Sequence, residues 1–518
     1  MRRVLLLLCL SLFVELEASA AVIQVPADQP TIQAGIDAAI NGDTVLVSDG
    51  TYSGVGNRNI SFGGKAIVVR SVNGAPVTII DVDSTLNRGF IFSSGEDTLS
   101  ILDGFTVTRA IADSGAGILI SGGSPKILNC RFEKMGFTFD NCAGDDLSVH
   151  APMGLGMAIV GNSHPILRRC LFTDIVKFPP KYYACQVFGA GLAVDAPATA
   201  EVEDCSFEDI YYIPWDGALG VALFDGSQGS SYLRCRFVRC GNENYHGSTY
   251  SMPVFLLNSN SRFDSCLFAR NHLAVGFDSW IGSGSIWLSN SPATVSNCTF
   301  FGNESAWGFL PGTPGAMAIL CTQSAATIDN CIIAFNRFYF PCYPDCVGAN
   351  MPMIGTTPGD TVGPVITCTD IYWNLEGVGD WVGPLASQLG VNGNIRRNPY
   401  FCDTTNYDFH LAPNSPCLAD SNSCGLLGAY AGNPSCPPGN CCIGRTGNID
   451  CDPYDKVDIS DLSAMITCLY IFPSSCNEHC CPGEENTDGD IAGGIDISDL
   501  SALIDYLYIS FTPTAMCQ

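Results

Sequence analysis

The chain has 518 residues and a formal charge of −27, with 51 Asp and Glu against 24 Lys and Arg. That surplus excludes nucleic acid and anionic membrane surfaces as partners, and it disfavours polyanionic glycans unless a divalent cation bridges the like charges. Neutral glycans, cations and basic protein faces remain open, and the length suffices for a large core plus a second domain.

Residues 1–20 combine Arg2-Arg3, an apolar run and the small-x-small site Ala18-Ser19-Ala20. This reads as a secretory signal peptide, so the mature protein is expected to be soluble and extracellular or attached to the cell surface. No later apolar run approaches the length that spans a bilayer. Of the 27 cysteines only Cys9 lies in the leader, and export permits the others to form disulfides.

After the leader, PTIQAGIDAAINGDTVLV predicts a short helix with Ile32, Ile36 and Ile40 on one face, a turn at Asn41-Gly42-Asp43 and a strand over Thr44–Val47. A helix here would cover the open end of a stack of strands and block edge pairing.

One phrase then recurs: PKILNCRF, PILRRCLF, AEVEDCSF, SYLRCRF, SRFDSCLF, ATVSNCTF and ATIDNCII. Its cysteines are Cys130, Cys170, Cys205, Cys235, Cys266, Cys298 and Cys331, with a degenerate eighth at Cys368, spaced by 30 to 40 residues. Two positions after each of the first seven stands Phe132, Phe172, Phe207, Phe237, Phe268, Phe300 or Ile333, which is the period of a strand with both side chains inward. Three positions before stands an apolar residue such as Ile127 or Val295, and a step of three needs a corner with one extra residue. Asn129, Asn297 and Asn330 occupy that corner, and asparagine tolerates the left-handed conformation of a tight bend. Glycine-led runs such as GAGILI and GAMAIL supply a further strand upstream. Such a unit buries its apolar face only when copies stack. The cysteines then form a core ladder of free thiols, since stacked side chains run parallel rather than toward each other.

The entry segment and LSILDGFTVTRA at 99–110 resemble the entry and early rungs of secreted right-handed parallel β-helix proteins of the pectate-lyase-like and pectin-esterase-like class, and the stretch from Gly379 to Cys417 resembles the terminal segment of bacterial relatives. The resemblance covers residues 21–432. It implies an all-β solenoid, a right-handed parallel β-helix with an N-terminal capping helix, in a secreted bacterial protein, and it implies no particular chemistry.

The insertion after each cysteine strand carries aromatic and charged residues, among them Tyr183, Tyr212, Trp215, Tyr245, Trp280, Trp307 and Tyr339. A shared repeat position places these loops on one side of the rod, where they would offer a glycan platform or pack as small loop cores.

A linker at 433–443 leads to residues 444–518, where thirteen Asp or Glu face only Arg445 and Lys456. Two copies, offset by 38, read NIDCDPYDKVDISDLSAMITCLYI and NTDGDIAGGIDISDLSALIDYLYI. Each is an acidic loop before an amphipathic helix, with Leu462, Met465, Ile466 and Leu469, then Leu500, Leu503, Ile504 and Leu507, on the apolar faces. Alternating carboxylates ahead of a helix are how a hard cation is caged by oxygens of one loop. The tandem resembles a dockerin, a small α-helical module of two EF-hand-like halves. The resemblance implies two calcium sites, one on Asn448, Asp450, Asp452, the Lys456 carbonyl, Asp458 and Asp461. The other would use Asn486, Asp488, Asp490, the Gly494 carbonyl, Asp496 and Asp499. The span is two residues longer than a twelve-residue loop, and a register from Asp450 and Asp488 puts Tyr454 and Ala492 where a ligand oxygen belongs. The resemblance also implies a cohesin-like partner reached through Ile459, Ser460, Ile497 and Ser498. Nine cysteines from Cys436 to Cys517 are expected to form disulfides supporting this thin core.

The catalytic signatures of polygalacturonases, pectin esterases and pectate lyases are absent from the rungs, so no catalytic pair stands out by spacing. The leading expectation is a secreted, non-catalytic, glycan-binding or adhesive rod with a calcium module for attachment. The alternatives are a polysaccharide lyase or glycoside hydrolase with diverged residues, and a purely structural surface protein.

Overall fold

The computed structural model describes residues 20–136, 152–175, 187–211, 218–241, 250–275, 284–305, 316–338, 352–357, 359–374, 380–436, 446–447, 449, 457–471, 487–488, 496–511 and 514. The repeated phrase bends where its spacing of three requires. The residue before each of the seven cysteines is left-handed, with φ of 52° at Asn129, 54° at Asp204, 51° at Arg234 and 51° at Asn297. Arg169, Asp204, Arg234 and Ser265 take this bend as readily as the asparagines, so the position is fixed by the stack and not by residue preference alone. A second left-handed bend, four residues after the cysteine, recurs at Lys134, Asp174, Asp209, Arg239 and Arg270 and has no composition that announces it.

The bends divide every turn of chain among three long sheets of 12, 11 and 10 strands, each visited in chain order. The first runs from Val22–Val25 to Val365–Thr367, the second from Gly50–Ser53 to Asp370–Tyr372, and the third from Ile60–Ser61 to Ile354–Thr356. Pairing within all three is parallel and in register, as in Ile127↔Leu167 and Phe132↔Phe172. This is the stacked, cysteine-centred solenoid that the phrase predicts.

Inside, equal positions form columns. Phe132, Phe172, Phe207, Phe237, Phe268 and Phe300 stack face to face, with ring centroids 4.6 to 4.9 Å apart. Each offset aromatic pair adds about 0.5–1.5 kcal/mol beyond area burial. The seven ladder cysteines are buried and free. Several thiols donate to a carbonyl of the preceding rung, Cys266 to Tyr232 O at 3.3 Å and Cys170 to Ile127 O at 3.5 Å. Burial pushes the thiols of Cys130, Cys240 and Cys321 up, away from the reactive thiolate.

Helix α1 (Ile32–Ala38) is capped by the Thr31 side chain, and it buries Ile32 and Ile36 against the first strands. Ile40 departs from expectation. The helix ends before it, the Asp43 carboxylate accepts from its N–H at 2.9 Å, and its side chain is 59% exposed. At the far end Trp381 and Leu385 close the core.

Cys368 is also corrected. It sits one residue early, in the left-handed position at φ 48°, and is bonded to Cys424, while Thr369 takes the buried place of the ladder. Cys436, expected with the tail, is bonded to Cys402 instead. Residues 397–436 thus form a strap across the outer face of the second sheet. Leu411, Cys417 and Leu427 cover Ile332 and Ala334, and Phe409 covers Val238, Leu267 and Ala269. Tyr407 is clasped from two successive rungs, with the Arg239 and Arg270 guanidiniums 5.2 and 4.7 Å from its ring centroid.

In the tail, α2 (Ile459–Ile466) and α3 (Ile497–Ile504) pack on each other around Met465, Leu500 and Leu503. Ile504 joins this core, but Ile466 is 37% exposed and does not. No helix among the described residues is long and apolar enough to cross a membrane.

Candidate functional site

A fourth, shorter sheet stacks Val187–Phe188, Ala218–Leu219, Tyr250–Ser251, His272–Val275, Glu304–Ser305 and Arg337–Phe338. On the rungs of His272, Glu304 and Arg337 it starts two residues after the second bend, whereas Val187–Phe188, Ala218–Leu219 and Tyr250–Ser251 follow the undescribed insertions that begin after Ile175, Tyr211 and Gly241, and further insertions begin after Val275, Ser305 and Phe338. The predicted platform residues Tyr183, Tyr212, Trp215, Tyr245, Trp280, Trp307 and Tyr339 all lie outside the described residues. The roots of their loops, however, are stacked along one side of the rod.

The inward residue at this corner is an asparagine on four successive rungs: Asn271, Asn303, Asn336 and Asn374, each fully buried. Asn271 Nδ2 donates to Asn303 Oδ1 at 2.9 Å, Asn303 to Asn336 at 2.8 Å and Asn336 to Asn374 at 2.7 Å. Each Oδ1 also accepts the backbone N–H of the rung before, as Asn303 does from Asn271 at 3.1 Å. Where the ladder stops, Asp380 replaces the next amide and accepts from Asn374 N at 2.8 Å and Nδ2 at 3.0 Å. Burial raises the Asp380 carboxyl while Arg396, at 2.6 Å, opposes that. A fully satisfied buried network of this kind holds the backbone of the corner rigidly.

That backbone carries an outward column. Tyr211, Gly241, His272, Glu304 and Arg337 are bridged in register on five rungs. Arg337 donates to Glu304 Oε1 from Nε at 2.8 Å and again from Nη2, and His272 Nδ1 lies 3.8 Å from Glu304 Oε2. The Glu304 side chain is only 11% exposed, against 31% for His272 and 53% for Arg337. The Tyr211 ring stands 6.3 Å from the imidazole. Gly241 fills the rung between them with no side chain, and its φ of 145° brings the backbone so close that a Cβ would lie 1.8 Å from His272 O. The arrangement is a carboxylate fixed by a guanidinium, an imidazole beside it, and a phenol across a gap. The column is not legible in the sequence, because its members share only the position six after the cysteine.

The third sheet carries Phe224, Phe255, Trp287 and Leu320 on its outer face, but these are buried with Met252 and Ala316 and present no open platform.

Of the predicted calcium ligands, Asn448, Asp450, Asp452, Lys456, Asn486, Asp490 and Gly494 lie outside the described residues. The rest converge at the helix starts. The Asp458 side chain accepts from Ser460 N at 2.8 Å, and Asp461 Oδ2 accepts from Asp458 N at 2.6 Å. Asp496 and Asp499 repeat this arrangement, and Asp499 Oδ1 also faces Asp488 N at 3.3 Å. Asp461 and Asp499 are buried, and burial together with the charges of Asp488 and Asp496 pushes the Asp499 carboxyl up. Buried carboxylates crowded by like charge, in a segment without Lys or Arg after Lys456, fit a hard divalent cation.

A family model described as a right-handed β-helix region matches residues 65–333, just over half of the chain. The chain belongs to the right-handed β-helix family. No curated protein matches this β-helix protein. Among solved structures it is similar to an endo-xylogalacturonan hydrolase from Aspergillus tubingensis, at 12% identity and a TM-score of 0.23, covering 69% of this chain and 97% of that one. It is also similar to a mannuronic acid specific family 6 polysaccharide lyase from human gut microbiota, at 11% identity and a TM-score of 0.27, covering 73% and 91%. A family 6 alginate lyase complexed with a trisaccharide matches at 8% identity and a TM-score of 0.26, covering 80% and 95%. Likeness at this level carries no activity across.

Proposed function

We propose that this β-helix protein is exported and engages an extracellular polysaccharide along the fourth sheet, and that its tail binds two calcium ions and serves attachment. The observation that carries the reading is the column Tyr211, His272, Glu304 and Arg337, set at successive rungs where the aromatic-rich insertions begin. Rungs about 4.8 Å apart match the scale of a sugar unit, and a phenol, an imidazole and a guanidinium supply a flat apolar face and donors for hydroxyls. A polymer is therefore favoured over a small ligand.

A second reading, elimination from the polysaccharide, is favoured by His272. Its imidazole lies beside a carboxylate that Arg337 locks, as a positioned general base requires, and Tyr211 across the gap would protonate the leaving oxygen. Hydrolysis has less support, since it needs two carboxylates and Glu304 is the sole one in the column among the described residues. In the tail, the dockerin-like reading assigns the ions to the carboxylates at the two helix starts. It assigns a cohesin-like partner to Ile459, Ser460, Ile497 and Ser498, which are all exposed.

Affinity electrophoresis against neutral and acidic polysaccharides tests the reading. Retention by one class, lost in both His272→Ala and Arg337→Ala, supports it, and retention equal in all three proteins removes the column from the function. Release of unsaturated ends, followed by ultraviolet absorbance and abolished in His272→Ala, selects elimination over binding.

A further inference from the structure

We propose that Asp370 is a proton-operated latch: neutral, it holds the strap of residues 397–436 on the second sheet, and on losing its proton it lets the strap lift. This goes beyond polysaccharide engagement and does not rest on it. Asp370 lies on the outer face of the second sheet and is fully buried, because Cys417 and Arg397 of the strap close over it. Its oxygens meet only neutral donors, the Arg397 N–H at 3.0 Å and the Cys417 thiol at 3.2 Å. Among the described residues no cationic nitrogen lies within ion-pair reach of it. Asp380 differs, since it is buried nearby but keeps Arg396 at 2.6 Å. The other groups facing Asp370 leave this imbalance in place. Asp380 raises its carboxyl, the more distant Arg397 guanidinium lowers it, and Tyr372 and Tyr400 are themselves pushed up by burial. Burial is the largest influence, and it lifts Asp370 from 3.8 to about 8.

The sign follows from linkage. A carboxyl raised in the closed state and ordinary in the open one makes closure strongest in acid. Closure weakens as pH climbs from about 4 toward 8, and it levels off once Asp370 is ionised in both states. The lift is partial, because Cys368–Cys424 ties the strap to the rod. Gly428 N donates to Asn330 O at 2.8 Å and Ala429 N to Thr299 Oγ1 at 2.9 Å, so these amides report the closed strap.

Hydrogen exchange of the mature chain, corrected for intrinsic rates, tests the latch. Protection of Gly428 and Ala429 is expected to fall about fiftyfold between pH 6 and 8 and then to level off, while Asp370→Asn stays flat. An equal fall in both proteins, or constant protection in the native chain, overturns the proposal. Should Asp370→Asn not fold, infrared spectroscopy of chain labelled at the aspartate carboxyl decides the matter. A neutral-acid band lost near pH 8 supports the latch, and the absence of such a band at pH 6 refutes it.

Discussion

Asn303→Ala removes the middle of the amide ladder, and the structure fixes what is lost. The Asn303 amide accepts from Asn271 N and Nδ2 and donates to Phe268 O and Asn336 Oδ1. Deletion leaves the Asn271 N–H, fully buried, with no acceptor. Asn271 Nδ2 keeps Phe237 O at 3.0 Å, and Asn336 Oδ1 keeps Asn303 N at 2.9 Å, so these lose one of two contacts. One orphaned buried donor costs about 1–3 kcal/mol, and weakened neighbours with a small void bring the expected loss to about 3 kcal/mol. Glu304→Gln, one residue along but facing outward, keeps an amide oxygen for Arg337 and orphans no buried donor, so it is expected to cost about 1 kcal/mol, clearly less than Asn303→Ala. Urea unfolding followed by near-ultraviolet circular dichroism measures both. Equal costs, or a loss below about 1 kcal/mol for Asn303→Ala, would refute the claim that the inner amide fixes this corner.

Tyr407→Ala deprives Arg239 and Arg270 of the ring between them, and limited proteolysis is expected to cut the strap faster, by about one order of magnitude for a loss of about 1–2 kcal/mol. The ten buried free cysteines described here are expected to ignore a thiol reagent in the native protein and to react only after denaturation, and fast labelling at Cys266 would contradict the ladder. Calorimetric titration of the protein with calcium is expected to show two binding events, with Asp461→Asn and Asp499→Asn each losing one, and heat unaffected by either substitution would reject the helix-start sites.

The stacked architecture was legible because it is written in spacings. The cysteine, the phenylalanine two later and the apolar residue three earlier each recur often enough to define columns, and a stack preserves sequence position as spatial position. The entry helix was legible to within two residues, because Thr31 caps it as a good N-cap does. Its end was not, since nothing local shows that Asp43 would bond back to Ile40. The strap escaped notice for a different reason. Its contacts, such as Arg236 Nη1 to Tyr430 OH at 3.0 Å, join residues separated by 194 positions, and no periodicity marks them. The asparagine ladder was in plain view as Asn271, Asn303, Asn336 and Asn374, yet it occupies only the later rungs, where Ala110, Met135, Ile175, Ile210 and Cys240 fill the same place earlier. The outward column of Tyr211, His272, Glu304 and Arg337 shares no chemistry that a repeat search would align.

The in-register parallel pairing makes the rod extensible. A duplicated copy of residues 266–297 would bring its own Cys266, Phe268 and Asn271, each with a neighbour of its own kind above and below. Such a chain should fold one turn longer, with a second imidazole in the outward row and the carboxylate of Glu304 moved about 4.8 Å from the first. The length of the row facing a polymer is thus adjustable by whole turns, without redesign of the interior.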